Sequence, residues 1–299
     1  MPAMISAKIV YGFTVPERRR WPADAAVTGP GDYCLPMGIG GVLFDIDGVL
    51  VTSWQAVPGA AETLKFLDSK DIARAFLTNT TSKTREQIAT ALRDVGLDVH
   101  SDEIVTAASL TADHLRENYP DARVVLINNG EIAGDMPGIE FVDETSEDPD
   151  VVVVGGAGPE FTHERLSRVY DWLCRGIPVV AMHRSLMWST GAGLRIDTGM
   201  YLAGMEQASG HTAKAIGKPA PLGFRTASER MGVDPDDVVM VGDDLDNDVL
   251  AAQVVGMTGV LVRTGKFRQD VLDRRITDEF AMEPDHVIDS VADLPDVLS

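Results

Sequence analysis

From Gly41 onward the chain alternates short runs of valine, isoleucine and leucine with longer stretches whose apolar residues recur at helical spacing. Such alternation marks βα units, in which buried parallel strands are covered by amphipathic helices. It predicts strands at 42–44, 73–77, 124–127, 151–154, 179–182, 238–241 and 259–262, and helices at 83–95, 110–118, 164–175 and 221–231. The fold class that follows is α/β, a Rossmann-like doubly wound parallel sheet. Residues 1–40 mix Pro, Gly and Arg without either periodicity and are expected to form a flexible N-terminal extension. No solenoid-type repeat and no long low-complexity tract interrupts the pattern.

One of the most apolar runs, GVLFDIDGVLV over 41–51, contains Asp45 and Asp47. Two unpaired carboxylates so close together repel each other and are costly to bury, so a cation is expected beside them. A strand stopping at Phe44 would deliver both to the carboxyl rim of a parallel sheet, where ligands bind in open α/β folds, with Gly48 allowing the chain to turn. Taken alone, DxDG is equally well explained as a polar strand end and an Asp-Gly turn.

Three further segments change that balance. In ARAFLTNTTSKT an apolar run again ends in small polar residues, Thr78 and Asn79, ahead of a predicted helix. Hydroxyl, amide and N–H groups there make a phosphate cradle, although Thr, Asn and Ser are also ordinary helix caps. In AIGKPAP, Lys218 is held between Gly217 and Pro219, a constrained place for an ammonium facing phosphate and equally a turn with a surface lysine. In VVMVGDDLDNDVLAAQ an apolar run stops at Gly242, and Asp243, Asp244, Asp246 and Asp248 follow within six positions. That density suits Mg²⁺, a hard cation that prefers carboxylate and water oxygens. The terminal Glu and length of an EF-hand loop are missing, and an acidic helix-capping loop is the competing explanation.

The charge balance narrows the partners. Of 299 residues, 46 are acidic and 26 basic, for a formal charge of −20. Such a surface repels nucleic acid on average, and the short basic run Arg18–Arg20 reads as a solvated cluster. Two cysteines, Cys34 and Cys174, without CxxC spacing suggest neither a disulfide framework nor a zinc site. No apolar run reaches membrane-spanning length and no signal-peptide core is evident, so a cytoplasmic protein without membrane partners is expected.

Together DIDGV, LTN, GKP and GDDLDND, in that order, resemble the four motifs of the haloacid dehalogenase (HAD) superfamily of aspartate-nucleophile phosphatases. Lys218 follows Thr78 by 140 positions, room for the large C2-type cap that subfamily IIA inserts between its second and third motifs. GKPAPLGF, MVGDDLDNDVLAAQVVGM, VRTGKF and LRIDTGMYLAGMEQASG are most similar to the branch of phospholysine phosphohistidine inorganic pyrophosphate phosphatases. The resemblance covers 41–299 and implies a HAD core over 41–120 and 210–299 with an α/β cap at 121–209 that covers the site and excludes water.

It also implies roles. Asp45 would be the nucleophile, and Asp47 the general acid and then base. Mg²⁺ would be held by the carboxylates of Asp45 and Asp243 and the carbonyl of Asp47. Thr78 and Asn79 would hold phosphoryl oxygens, Lys218 would neutralise charge, and Asp248 would orient Lys218 or a water of the metal. The expected substrate is a small phosphorylated metabolite, and phosphoamino acids, pyrophosphate, pyridoxal phosphate, glycerol phosphate and sugar phosphates all fit. A homodimer is admitted by the same resemblance.

Where many capped relatives carry Asn or Asp, this chain reads AMHRSLMW, so His183 and Trp188, with Arg184, are the candidates for selecting the leaving group. Packing is the competing explanation for each. The run VVVVGGAGPE lacks the third glycine of a dinucleotide fingerprint and reads as a strand entering a turn. Two other functions share parts of the pattern. A metal-free haloacid dehalogenase does not need Asp47 or Asp243, and a receiver-like phosphoaspartate switch has neither a cap nor a proton-transfer Asp47. A degenerate phosphatase retained for binding would be expected to lack some of these residue types, and all are present.

Overall fold

A computed structural model describes residues 9–10, 13–14, 38–190, 193–276 and 282–299. Most of the expected N-terminal extension, with Arg18–Arg20 and Cys34, lies outside the described residues; within it Ile9–Val10 pairs antiparallel with Phe13–Thr14. Two compact units account for the chain. The first is drawn from Met1–Thr52, Ala56–Ala75 and Ala227–Ser299, the second from Ser53–Gln55 and Phe76–Thr226. The strand Ala73–Thr78 begins in the first and ends in the second.

In the first unit, Val238–Gly242 runs parallel to Gly41–Phe44 on one side and to Thr258–Val262 on the other, and His286–Ile288 follows parallel beyond. Gly41–Phe44 and Val238–Gly242 are buried at every position, which is why they read as unbroken apolar runs rather than alternating ones. Phe44 pairs with Val241, so both strands end at one level, and the Asp45 N–H extends the ladder by donating to the Val241 carbonyl at 2.9 Å. Leu245, Val249 and Leu250 pack with Leu261 and Leu272 behind that end.

The second unit contains a five-stranded sheet in the order Lys214–Ala215, Val179–Ala181, Val151–Val154, Arg123–Ile127, Glu140–Val142, with every pairing parallel. Helix His163–Cys174 places Val169, Trp172 and Leu173 at i, i+3 and i+4, and these pack with Val152, Val154 and Leu202 in one core. Elsewhere in this unit the end of Ala73–Thr78 pairs parallel with Ile104–Thr106. Helices Arg85–Asp94 and Ala107–Asn118 start at capping boxes, Thr84 with Gln87 and Thr106 with Ser109. Every predicted strand and helix corresponds to an observed one within a few residues, and the α/β class with parallel sheets is met. The structure adds helices Ala60–Ser69, Thr198–Ser209 and Gln269–Ile276, a hairpin of Met187–Thr190 with Gly193–Ile196, and several short strands.

Candidate active site

In the first unit, two adjacent parallel strands each release an aspartate at their carboxyl ends, Asp45 after Phe44 and Asp243 after Gly242. The chain then makes a π-helical turn over Leu245–Leu250, which brings Asp248 back beneath the strand end. One oxygen from each of Asp45, Asp243 and Asp248 lies within 4.8 Å of the others, and the three residues are at most 3% exposed. Asp248 Oδ2 accepts the Asp244 N–H at 3.2 Å, while Asp244 is occupied with Asn247, accepting from its backbone N–H at 3.0 Å and its side-chain amide at 2.8 Å. Asp244 thus caps the turn. Asp47 is half-buried and makes an isolated bridge with Val51 in the turn that closes around Gly48.

Asp243 is held through one of its two oxygens. Its Oδ2 accepts the Lys266 N–H at 2.7 Å, and its Oδ1 is buried with no hydrogen-bond partner. Burial raises the Asp243 carboxyl well above the usual carboxylate range, Lys266 opposes that rise, and Asp45 and Asp248 add to it. Desolvation acts downward on the Lys266 ammonium, but Asp243, Asp45, Asp248 and Asp244 outweigh it and raise the lysine. A buried carboxylate oxygen without a donor, in an all-oxygen set beside two more carboxylates, fits a hard divalent cation. Lys266 is a member of this site that sequence reasoning did not single out, although it stands in the VRTGKF run that carried part of the resemblance.

The second unit holds the remaining motif residues. Thr78 is 2% exposed, and its hydroxyl accepts the Thr80 N–H at 3.0 Å. Asn79 Nδ2 donates to the Lys218 carbonyl at 2.9 Å and Oδ1 accepts the Lys218 N–H at 3.0 Å, so the second and third motifs are tied together through an amide. Lys218 itself is buried. The strand of VVVVGGAGPE ends at Val154, and in the turn beyond it the Gly156 N–H donates to Thr81 Oγ1 at 2.9 Å and Asn128 Oδ1 at 3.0 Å. That glycine run therefore docks the Thr78–Thr81 loop, a role with no nucleotide in it.

The three leaving-group candidates divide. His183 is buried, and its Nδ1 accepts the Ser185 N–H at 3.3 Å. Arg184 is held by Glu206, with Nη1 2.9 Å from Oε1, and by the Ala213 carbonyl. Trp188 lies on the hairpin opposite Arg195 and is 43% exposed, among the exposed side chains Leu186, Met187, Ile196 and Met200.

Comparison with known proteins places this geometry in a family. A family described as haloacid dehalogenase-like hydrolase matches residues 42–158, and a second, HAD-hydrolase-like, matches 215–294. The human haloacid dehalogenase-like hydrolase domain-containing protein 2 is 35% identical over 227 residues, 76% of this chain and 85% of that protein. The chain belongs to the haloacid dehalogenase-like hydrolases. Another relative, the rat phospholysine phosphohistidine inorganic pyrophosphate phosphatase, is 32% identical over 237 residues, covering 77% of this chain and 85% of that one. Among solved structures, a p-nitrophenyl phosphatase from Archaeoglobus fulgidus superposes with a TM-score of 0.79 at 29% identity, covering 87% of this chain and all of its own. The family resemblance read from the four motifs is met, and so is the expectation of a hydrolase. Among the described residues no helix is long and apolar enough to cross a membrane.

Proposed function

We propose that the protein is a Mg²⁺-dependent phosphatase that hydrolyses a small phosphorylated metabolite through an aspartyl-phosphate intermediate. The observation that carries this reading is the convergence of Asp45, Asp243 and Asp248, with Asp243 Oδ1 buried and unpartnered. Mg²⁺ bound by Asp45, Asp243 and the Asp47 carbonyl would offset the repulsion between an anionic nucleophile and an anionic substrate.

In this reading an Asp45 carboxylate oxygen attacks phosphorus in line, and the bond to the leaving oxygen breaks as the Asp47 acid delivers its proton there. Asp47, now a carboxylate, takes a proton from the water that attacks the same phosphorus, the bond from phosphorus to the Asp45 oxygen breaks, and the Asp45 carboxylate and inorganic phosphate are set free. Thr78 and Asn79 hold phosphoryl oxygens, Lys218 neutralises their charge, and Asp248 supports the acidic set. The domain assignment proposed with it is a core of 41–120 and 210–299, a cap of 121–209 that selects the leaving group, and a cytoplasmic location. Asp47 and Asp243 favour this over a metal-free dehalogenase.

The test is phosphate release from a panel that includes phospholysine, phosphohistidine, pyrophosphate, p-nitrophenyl phosphate, pyridoxal phosphate, glycerol phosphate and sugar phosphates, with Mg²⁺ and with chelator. Turnover is expected on at least one member, abolished by chelator and restored by Mg²⁺. Full activity in chelator, or halide release from a haloacid, overturns the reading.

A further inference from the structure

Three strand ends, not two, meet at Asp243. After Val262 the chain turns through Thr264, Gly265 and Lys266, and this turn closes on the carboxylate from the side away from its unpartnered oxygen. The Lys266 N–H donates to Oδ2 at 2.7 Å. Gly265, at φ +60°, and Gly48, at φ +90°, flank that same oxygen so closely that a Cβ on either would stand 2.0 Å from it. The two glycines also touch each other, since a Cβ on Gly265 would lie 2.5 Å from the Gly48 Cα. The Thr264 hydroxyl closes the ring by donating to the Gly48 carbonyl.

We infer that the Thr264–Gly265–Lys266 turn is a positioning element for the metal, fixing the Asp243 carboxylate so that Oδ1 alone is presented to the cation. A carboxylate free to rotate would share both oxygens between water and metal and lose ordering entropy on binding. With Oδ2 committed to an N–H and enclosed by two glycines, the rotation is already stopped. Any side chain at 48 or 265 displaces Oδ2 and turns Oδ1 with it. This inference rests on the metal reading above and goes beyond it, because no residue of the turn is among those proposed to hold the metal or the phosphoryl group.

The experiment measures Mg²⁺ binding calorimetrically and Mg²⁺-dependent thermal stabilisation on the full chain, without substrate, for wild type, Asp243→Asn, Gly265→Ala, Thr264→Val and Lys266→Ala. Gly265→Ala is expected to weaken Mg²⁺ by about 10- to 100-fold, the usual effect of disturbing a group that orients a ligand. Thr264→Val, nearly isosteric and chosen in case the alanine variant does not fold, is expected to weaken it in the same direction by a smaller factor. Lys266→Ala retains the N–H and should keep more affinity than Gly265→Ala. Turnover of Gly265→Ala should recover at saturating Mg²⁺ with substrate KM unchanged, which a general structural defect would not allow. If wild type binds Mg²⁺ and Asp243→Asn does not, yet Gly265→Ala and Thr264→Val bind like wild type, the positioning role is wrong and the metal site stands. If wild type itself shows no Mg²⁺ binding, the metal reading fails first.

Discussion

Asn79 and Lys218 exchange hydrogen bonds through the two ends of one amide, Nδ2 to the Lys218 carbonyl at 2.9 Å and Oδ1 from the Lys218 N–H at 3.0 Å. The side chain of Asn79 is thereby a strand-like partner for the backbone of the lysine. It fixes where the Lys218 side chain starts, across 139 residues of sequence.

Asn79→Ala removes both of these bonds from the backbone of a buried segment. Stability is expected to fall by about 1–3 kcal/mol, read from the urea midpoint, and KM for p-nitrophenyl phosphate to rise. Asn79→Asp keeps the acceptor for the Lys218 N–H but sets a carboxylate oxygen against the Lys218 carbonyl, so it should not rescue the loss. An unchanged midpoint in the alanine variant would show that the pair is not what holds the lysine.

The two aspartates of DIDGV are expected to fail differently. Asp45→Asn should form no covalent phosphoenzyme, because the acceptor oxygen is gone. Asp47→Asn should still be phosphorylated but lose proton transfer, lowering turnover by about 10²- to 10⁴-fold. Rapid-quench mass spectrometry checks both, and phosphate trapped on a residue other than Asp45 in wild type would sink the mechanism.

Burial separates two of the residues proposed to select the leaving group, which sequence reading treated alike. Trp188 is 43% exposed and His183 is 2% exposed. Trp188→Ala should change stability by no more than about 0.5 kcal/mol. It should still reduce kcat/KM for the best natural substrate while p-nitrophenyl phosphate hydrolysis changes little. His183→Ala should lower the melting temperature as well. Equal loss on both substrates in a folded Trp188→Ala variant would return Trp188 to the rank of a surface side chain.

His114 makes a prediction about acid. It is buried, its Nε2 has no partner, and its pKa is lowered from 6.5 by burial and by Lys214, with Glu117 opposing. Protons therefore bind the unfolded chain first as the pH falls below 6.5, and the folded state loses relative stability there while gaining nothing above it. Wild type should lose more stability between pH 7.5 and 5.5 than His114→Gln, measured by urea unfolding at both values. Parallel losses in the two proteins would mean that the histidine titrates alike folded and unfolded.

The amino-acid sequence determined the strands of both sheets that are buried on two faces, because such strands must be continuous apolar runs, and it placed the polar residues that follow them. Asp45 and Asp243 were legible for that reason, each being the first polar side chain after such a run, and Thr78 closes the buried half of its strand, Ala75–Thr78. Short strands such as Ile104–Thr106 and Lys214–Ala215 carry too few residues for any periodicity, and Thr198–Ser209 buries only Thr198, Gly199 and Leu202, so none announced itself locally. Only the tertiary structure decided that Asp248 turns back to Asp45 and Asp243, that Asn79 reaches Lys218, and that Arg184 is spent on Glu206. It alone decided that Lys266 matters through its N–H. Every residue but proline has that group, so no residue pattern can mark it; only the fold, by bringing the Thr258–Val262 strand beside Val238–Gly242, aims it at one oxygen of Asp243.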